Sequence, residues 1–186
     1  MSKMRSRWLL IAFVLAVLGG MYSVAMRNGS PSFTIDRSRP FCLEFGRGSG
    51  WQGLNTAKLD QTGRVVLHRM RREHVSVVHW EATTLQLSPQ AFADVLNAVE
   101  SNDLMTLREE YHENVQDGTQ WVLWIKQGER EKSVYFNNNF PRRIMAFAEE
   151  FDAILARSGS DKSVWQPVPG QDSREHERTL WDSIKR

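Results

Sequence analysis

The stretch QWVLWIKQGEREKSVYFNNNFP (Gln120 to Pro141) constrains the fold more than any other part of the chain. Two strand-forming runs meet at Gly128-Glu129, a pair suited to a two-residue II′ turn because glycine supplies the positive φ of the first position. That turn pairs residues whose numbers add to 257, so Lys126 faces Glu131, Leu123 faces Val134 and Trp121 faces Phe136. The odd spacing of Trp121 and Trp124 sends the two rings to opposite faces whatever the turn type. Trp121, Leu123, Ile125, Val134 and Phe136 then form a core face. Val122, Trp124 and Tyr135 share the other face with Lys126 and Glu131. Aromatic side chains with a polar rim suit a partner site. The alternative is that another part of the chain covers them, and Trp181 near the C-terminus is the candidate lid.

Upstream, FCLEF is a short strand run bounded by GRGSG, which reads as a loop. LNTAKLD alternates, DQTG at 60–63 is a turn signal, and RVVLHRMRRE and HVSVVHWEATTLQL follow with β-branched residues. Four strands joined by short connections predict an antiparallel meander. Ser88-Pro89 then opens a helix, with serine as N-cap and proline at the first helical position. Phe92, Val95, Leu96 and Val99 give its apolar stripe, and Asn102-Asp103 ends it. Residues 103–118 read as a loop with a brief turn. Pro141 starts a second helix, with Ile144, Phe147, Ala148, Phe151, Ile154 and Leu155 on its buried side and Ser158-Gly159 at its end. The tail is polar, and its last part is expected to form a short helix. Asp172 and Glu175 resemble a capping box there, and Leu180, Trp181 and Ile184 share one side. Together these elements predict an α+β domain over 41–157: an antiparallel sheet of five or six strands with two helices packed on one face.

The N-terminus addresses a different question. Lys3, Arg5 and Arg7 precede a 19-residue uncharged run, Trp8 to Met26. As a helix it would be about 28 Å long, close to the ~30 Å hydrocarbon core of a bilayer. The preferred reading is an uncleaved single-span anchor over 1–26. A signal peptide cut near Ser23-Val24-Ala25 is the alternative, and it would make the protein secreted. Under the positive-inside rule everything after Arg27 is exported, to the periplasm or the outside. Residues 27–40 read as a linker rich in Gly, Ser and Pro.

The order from Thr84 to Leu155 carries a resemblance. A helix opening LSPQAFADVLNAVESNDLMTL leads to the acidic-aromatic loop REEYHENVQDGTQWVLWI, then the QGEREKSVYFNN hairpin, then the proline-started FPRRIMAFAEEFDAIL. Over Phe41 to Leu155 the chain resembles small exported bacterial domains of unknown function that combine a meander, a helix, a hairpin and a terminal helix. The shared marks are Tyr111, Asp117, Lys132 and Pro141. The resemblance implies a fold and no assigned chemistry.

Bulk properties exclude several classes. A formal net charge of +2 is too small to argue for nucleic acid. A single cysteine, Cys42, rules out an internal disulfide or a cysteine-built zinc site, and its apolar strand setting reads as a small core residue. His68, His74 and His79 sit on successive strands without HxxxH or HExxH spacing, so no metal is expected. Ser49 in GRGSG lacks the elbow that activates a nucleophile, and GRGSGWQG is not a phosphate loop. Glu109, Glu110, Glu113 and Asp117 lack calcium-loop spacing, and Tyr111 should pack inward. Arg64, Arg69, Arg71 and Arg72 read as a solvated strand end. No cofactor and no catalytic residue is expected. The sequence therefore points to an exported, membrane-tethered, non-enzymatic binding or accessory domain of the cell envelope, with Trp124, Tyr135 and Val122 as binding residues and a protein or envelope polymer as partner. The alternative is a hydrolase-like envelope enzyme using His79 and Glu81 as acid and base.

Overall fold

The structure, a computed structural model, describes residues 33–49, 52–74, 77–115, 118–168 and 174–184, without the side chains of 73, 74, 77 and 78. The apolar run Trp8–Met26, the candidate cleavage site, Asp117, Asp172 and the His74 side chain lie outside that description. Among the described residues no helix is long and apolar enough to cross a membrane.

The meander is present: β1 (Phe41–Ser49), β2 (Gly53–Leu59), β3 (Arg64–His74) and β4 (Val77–Gln86) pair antiparallel in sequence order. The hairpin strands β6 (Gln120–Gln127) and β7 (Arg130–Asn137) pair in the expected register, Lys126 opposite Glu131 and Trp121 opposite Phe136. Gly128 has φ 56°, and Glu129 is not among the described residues with positive φ, which is the requirement of a II′ turn. β6 lies beside β1, so the hairpin joins the free side of the meander.

The sheet is larger and less uniform than the expected five or six antiparallel strands. Among the described residues it has eight strands in the order β5-β7-β6-β1-β2-β3-β4-β8 and is mixed, because β5 (Glu110–His112) runs parallel to β7. β8 (Gln166–Pro167) closes the other edge beside Glu81 and Ala82. Strand β5 comes from the segment expected to be loop. It is three residues long, and it is held by a buried Tyr111 whose ring stacks on Phe136 at 5.4 Å. The GRGSG segment also departs from the loop expectation, since its residues 46–49 continue β1.

Among the described residues three α-helices, not two, pack on the sheet, and they divide between its faces. α1 (Pro89–Ser101) begins where Ser88 Oγ accepts the Ala91 N–H at 3.1 Å. α2 (Arg142–Arg157) buries the six stripe residues read from the sequence. Both cover the face that carries Leu43, Phe45, Leu59, Val65, Leu123 and Phe136, and these residues share one core with the two helices. Ile35, from the segment read as linker, is buried in the same core, and its N–H donates to Glu100 Oε1 at 2.5 Å. The third helix, α3 (Arg178–Ser183), lies on the opposite face and comes from the tail.

Candidate functional site

Pleat alternation delivers a second apolar patch to the face away from α1 and α2. Leu54 on β2 and Val122 on β6 are fully buried there, and Trp124 and Tyr135 lie half-buried beside them. The three residues expected to bind a partner are thus brought together, under the chain's own C-terminus. Leu180, Trp181 and Ile184 of the tail pack on the patch, with the Trp181 and Tyr135 rings 6.2 Å apart. Trp181 acts as the lid named as the alternative. Trp124 Nε1 donates to Glu131 Oε1 at 2.9 Å, so the indole is fixed along the hairpin.

The lid is fastened at its N-terminal end by polar contacts that sequence reading missed. Glu177 is buried and accepts the Leu54 N–H at 2.6 Å through Oε2, while its Oε1 accepts from Arg174 Nε. His176 Nε2 lies 3.1 Å from the Leu54 carbonyl, which can only accept, so that nitrogen carries a proton. The ring of His176 stacks on His68 of β3 at 4.4 Å with planes 13° apart and leans on buried Trp80 of β4, also at 4.4 Å. Burial, then the nearby His176 and Lys58, push the His68 imidazole down to about 4. His68, Met70, Trp80 and Ala82 share the pleat face turned toward the tail, a signal available from strand alternation once β3 and β4 are paired.

At the rim of the lid, a cavity of about 570 Å³ is lined by Tyr135, Ser133, Glu109, Glu110, Glu131, Lys132, Ser183 and Ile184. One wall is aromatic and aliphatic, and the other is mostly acidic. Burial, with Glu110 nearby, raises the Tyr135 phenol above its ordinary range, so it stays neutral and can donate a hydrogen bond. A second cavity, about 490 Å³, opens on the other face between the end of α2 and β1 to β3. Two of the arginines that line it are already engaged. Arg47 forms a two-pronged bond to Asp152 at 2.8 and 2.6 Å, and Arg69 lies over Trp165 at 4.0 Å.

Glu81 does not stand as a ready acid. Arg69 donates to its Oε2 at 3.0 and 2.8 Å and Arg71 to its Oε1 at 3.1 Å. These bonds hold its carboxyl below the usual range, and an ionised carboxylate with both oxygens engaged has no proton to give. His79 is exposed and is opposite Arg71 in the strand pairing. Arg69 and Arg71, read as part of a solvated strand end, are largely committed to Glu81. Among the described residues no group of three or more His, Cys, Asp or Glu side chains converges as a metal site would need. Cys42 is a free, half-buried thiol.

The fold and site together define a single-sheet α+β module whose second apolar face is capped by its own C-terminal helix. No protein-family model and no curated protein matches the chain.

Proposed function

We propose that this protein is a non-enzymatic binding or accessory domain of the cell envelope, tethered by Trp8–Met26, that engages a partner beside Tyr135, at the edge of the Val122–Trp124–Tyr135 face that the tail leaves open. The observation that carries the reading is the 570 Å³ cavity beside Tyr135, where the apolar patch continues past the lid and meets three glutamates. An aromatic wall with an acidic rim is complementary to a protein segment that presents one apolar anchor flanked by Lys or Arg. The exported address is supported by the cationic leader and the uncharged run behind it.

The test is photocross-linking in native membranes with a photoreactive residue at position 124. The expected adduct is a basic protein segment, and charge reversal at Glu109 and Glu110 should abolish its capture. Adducts confined to the chain's own tail, or adducts of an envelope polymer indifferent to that charge reversal, would overturn the reading.

A further inference from the structure

We infer that Lys185 and Arg186, the two residues after Ile184, seat in the acidic cavity beside Tyr135 and make the tail the chain's own ligand for that site. Both lie outside the described residues, and the described part of the tail leads straight to the cavity. α3 packs on the Val122 patch, and Ser183 and Ile184 form part of the cavity wall. Each further residue advances the main chain by at most about 3.6 Å, so the next two side chains start at that wall.

Charge matches occupant to site. The lining holds Glu109, Glu110, Glu131 and Lys132, two negative charges in excess, and Lys185 and Arg186 bring two positive ones. Glu131 already accepts from Trp124 Nε1, so Glu109 and Glu110 carry the attraction. Both are exposed, and neither is ion-paired among the described residues. Their main chain is fixed beside the Tyr135 ring: Glu110 is opposite Tyr135 in the β5–β7 pairing, and the Glu109 carbonyl accepts the Tyr135 N–H at 2.9 Å.

A segment joined directly to the cavity wall meets its site at an effective concentration on the order of millimolar or above, so even weak pairs keep the seat filled. Exposed ion pairs are individually weak, so the seat is also exchangeable. Ile184-Lys185-Arg186 has the pattern required of the partner above, one apolar anchor flanked by Lys or Arg. A foreign segment of that kind therefore enters by displacing the chain's own. This last consequence rests on the partner reading; the seat itself does not.

The test is hydrogen exchange of the full chain in detergent micelles, with the α3 amides (Arg178–Ser183) as reporters and Leu123 and Val134 as controls. Lys185→Glu with Arg186→Glu should cost the reporters about tenfold of their protection, through two lost pairs and new repulsion, and leave the controls unchanged. Adding Glu109→Lys and Glu110→Lys to that chain should restore most of the loss. Reporters unmoved by the first pair of substitutions, or a loss that the second pair does not rescue, would overturn the inference. The unrescued loss is what two cations acting only on the end of the α3 dipole would give. If Glu109→Lys with Glu110→Lys unsettles β5, salt decides. At about 1 M sodium chloride, where the Debye length is about 3 Å, the native reporters should lose protection and those of the Lys185→Glu, Arg186→Glu chain should regain it. Native protection that is equal at low and high salt would overturn the inference. Rescue with no foreign adduct at position 124 would sink the partner reading alone. Foreign adducts with unmoved reporters would sink the seat alone.

Discussion

Glu177 reaches back across 123 residues to accept the main-chain N–H of Leu54 at 2.6 Å. A charged acceptor on a buried donor contributes about 1.5–3 kcal/mol. Glu177→Ala should therefore weaken tail docking by about 2 kcal/mol, and Glu177→Gln, which keeps an acceptor, by less. The loss is bounded, because a tail that lifts lets water reach Leu54. Thermal unfolding followed at the sheet should hardly move, while fluorescence quenching of Trp181 should rise. A large drop in the global midpoint would contradict a locally held lid.

Gly46 on β1 lies directly beneath the lid. A Cβ built there would stand 2.7 Å from Leu180 Cδ1 and 2.9 Å from Leu54 Cδ1. Both obstacles are ends of side chains, and one belongs to a six-residue helix, so the helix yields before the strand does. Gly46→Val should displace α3 and leave β1 paired with β2 and β6. The expected readout is greater exposure of Tyr135 and Trp181 to a soluble quencher, with an unchanged far-ultraviolet spectrum. An unmoved tail in a folded variant would show that the lid has more room than these distances allow.

The parts of this fold that local pattern controls were legible. The hairpin register followed from one glycine and strand alternation, and the α2 stripe from its helical period, because each is decided by residues close in sequence. The parts that failed depend on distant partners. β5 is only three residues, Glu110–His112, too short for a periodic signal, and it becomes a strand because Tyr111 finds Phe136. Gly46 and Gly48 read as loop, yet they sit in a strand where Leu180 and the Gly53 carbonyl crowd the missing Cβ positions. At the site, alternation grouped Val122, Trp124 and Tyr135 and the tail's spacing nominated Trp181. The Glu177 and His176 contacts to Leu54 were not legible, since they form to backbone more than a hundred residues away.

Glu81 supplies a pH dependence of its own. Its carboxyl is held low by hydrogen bonds from Arg69 and then Arg71. A group with a depressed folded-state pKa contributes stability above its unfolded value, here 4.5, and loses it as pH falls through the folded value. The unfolding midpoint of Glu81→Gln should therefore lie below that of the native chain at pH 6, and the gap should close progressively below pH 4.5. The measurement is a series of thermal scans of both proteins from pH 6 to pH 3. A gap that widens with acid would mean that the arginines do not favour the ionised carboxylate.

Glu44 should behave in the opposite way. It is 1% exposed on β1, opposite Trp124 in the strand pairing, and Lys58 Nζ stands 3.4 Å away without making a hydrogen bond to its Oε2. Burial raises its carboxyl above 4.5 and outweighs the attraction of Lys58. The folded chain therefore binds this proton more readily than the unfolded chain, so the carboxyl favours folding most at low pH, and that benefit is lost as pH rises through the raised value. A neutral amide of the same shape avoids the cost of burying a charge, and replacing poorly compensated buried ions by neutral groups is often stabilising. Glu44→Gln should gain on the order of 1 kcal/mol at pH 7, with the gain shrinking as acid protonates the native carboxyl and absent below pH 4.5. Denaturant titrations at pH 7 and pH 4 measure both ends. A variant less stable than the native chain at pH 7 would show that the Lys58 pair outweighs the burial of the carboxylate.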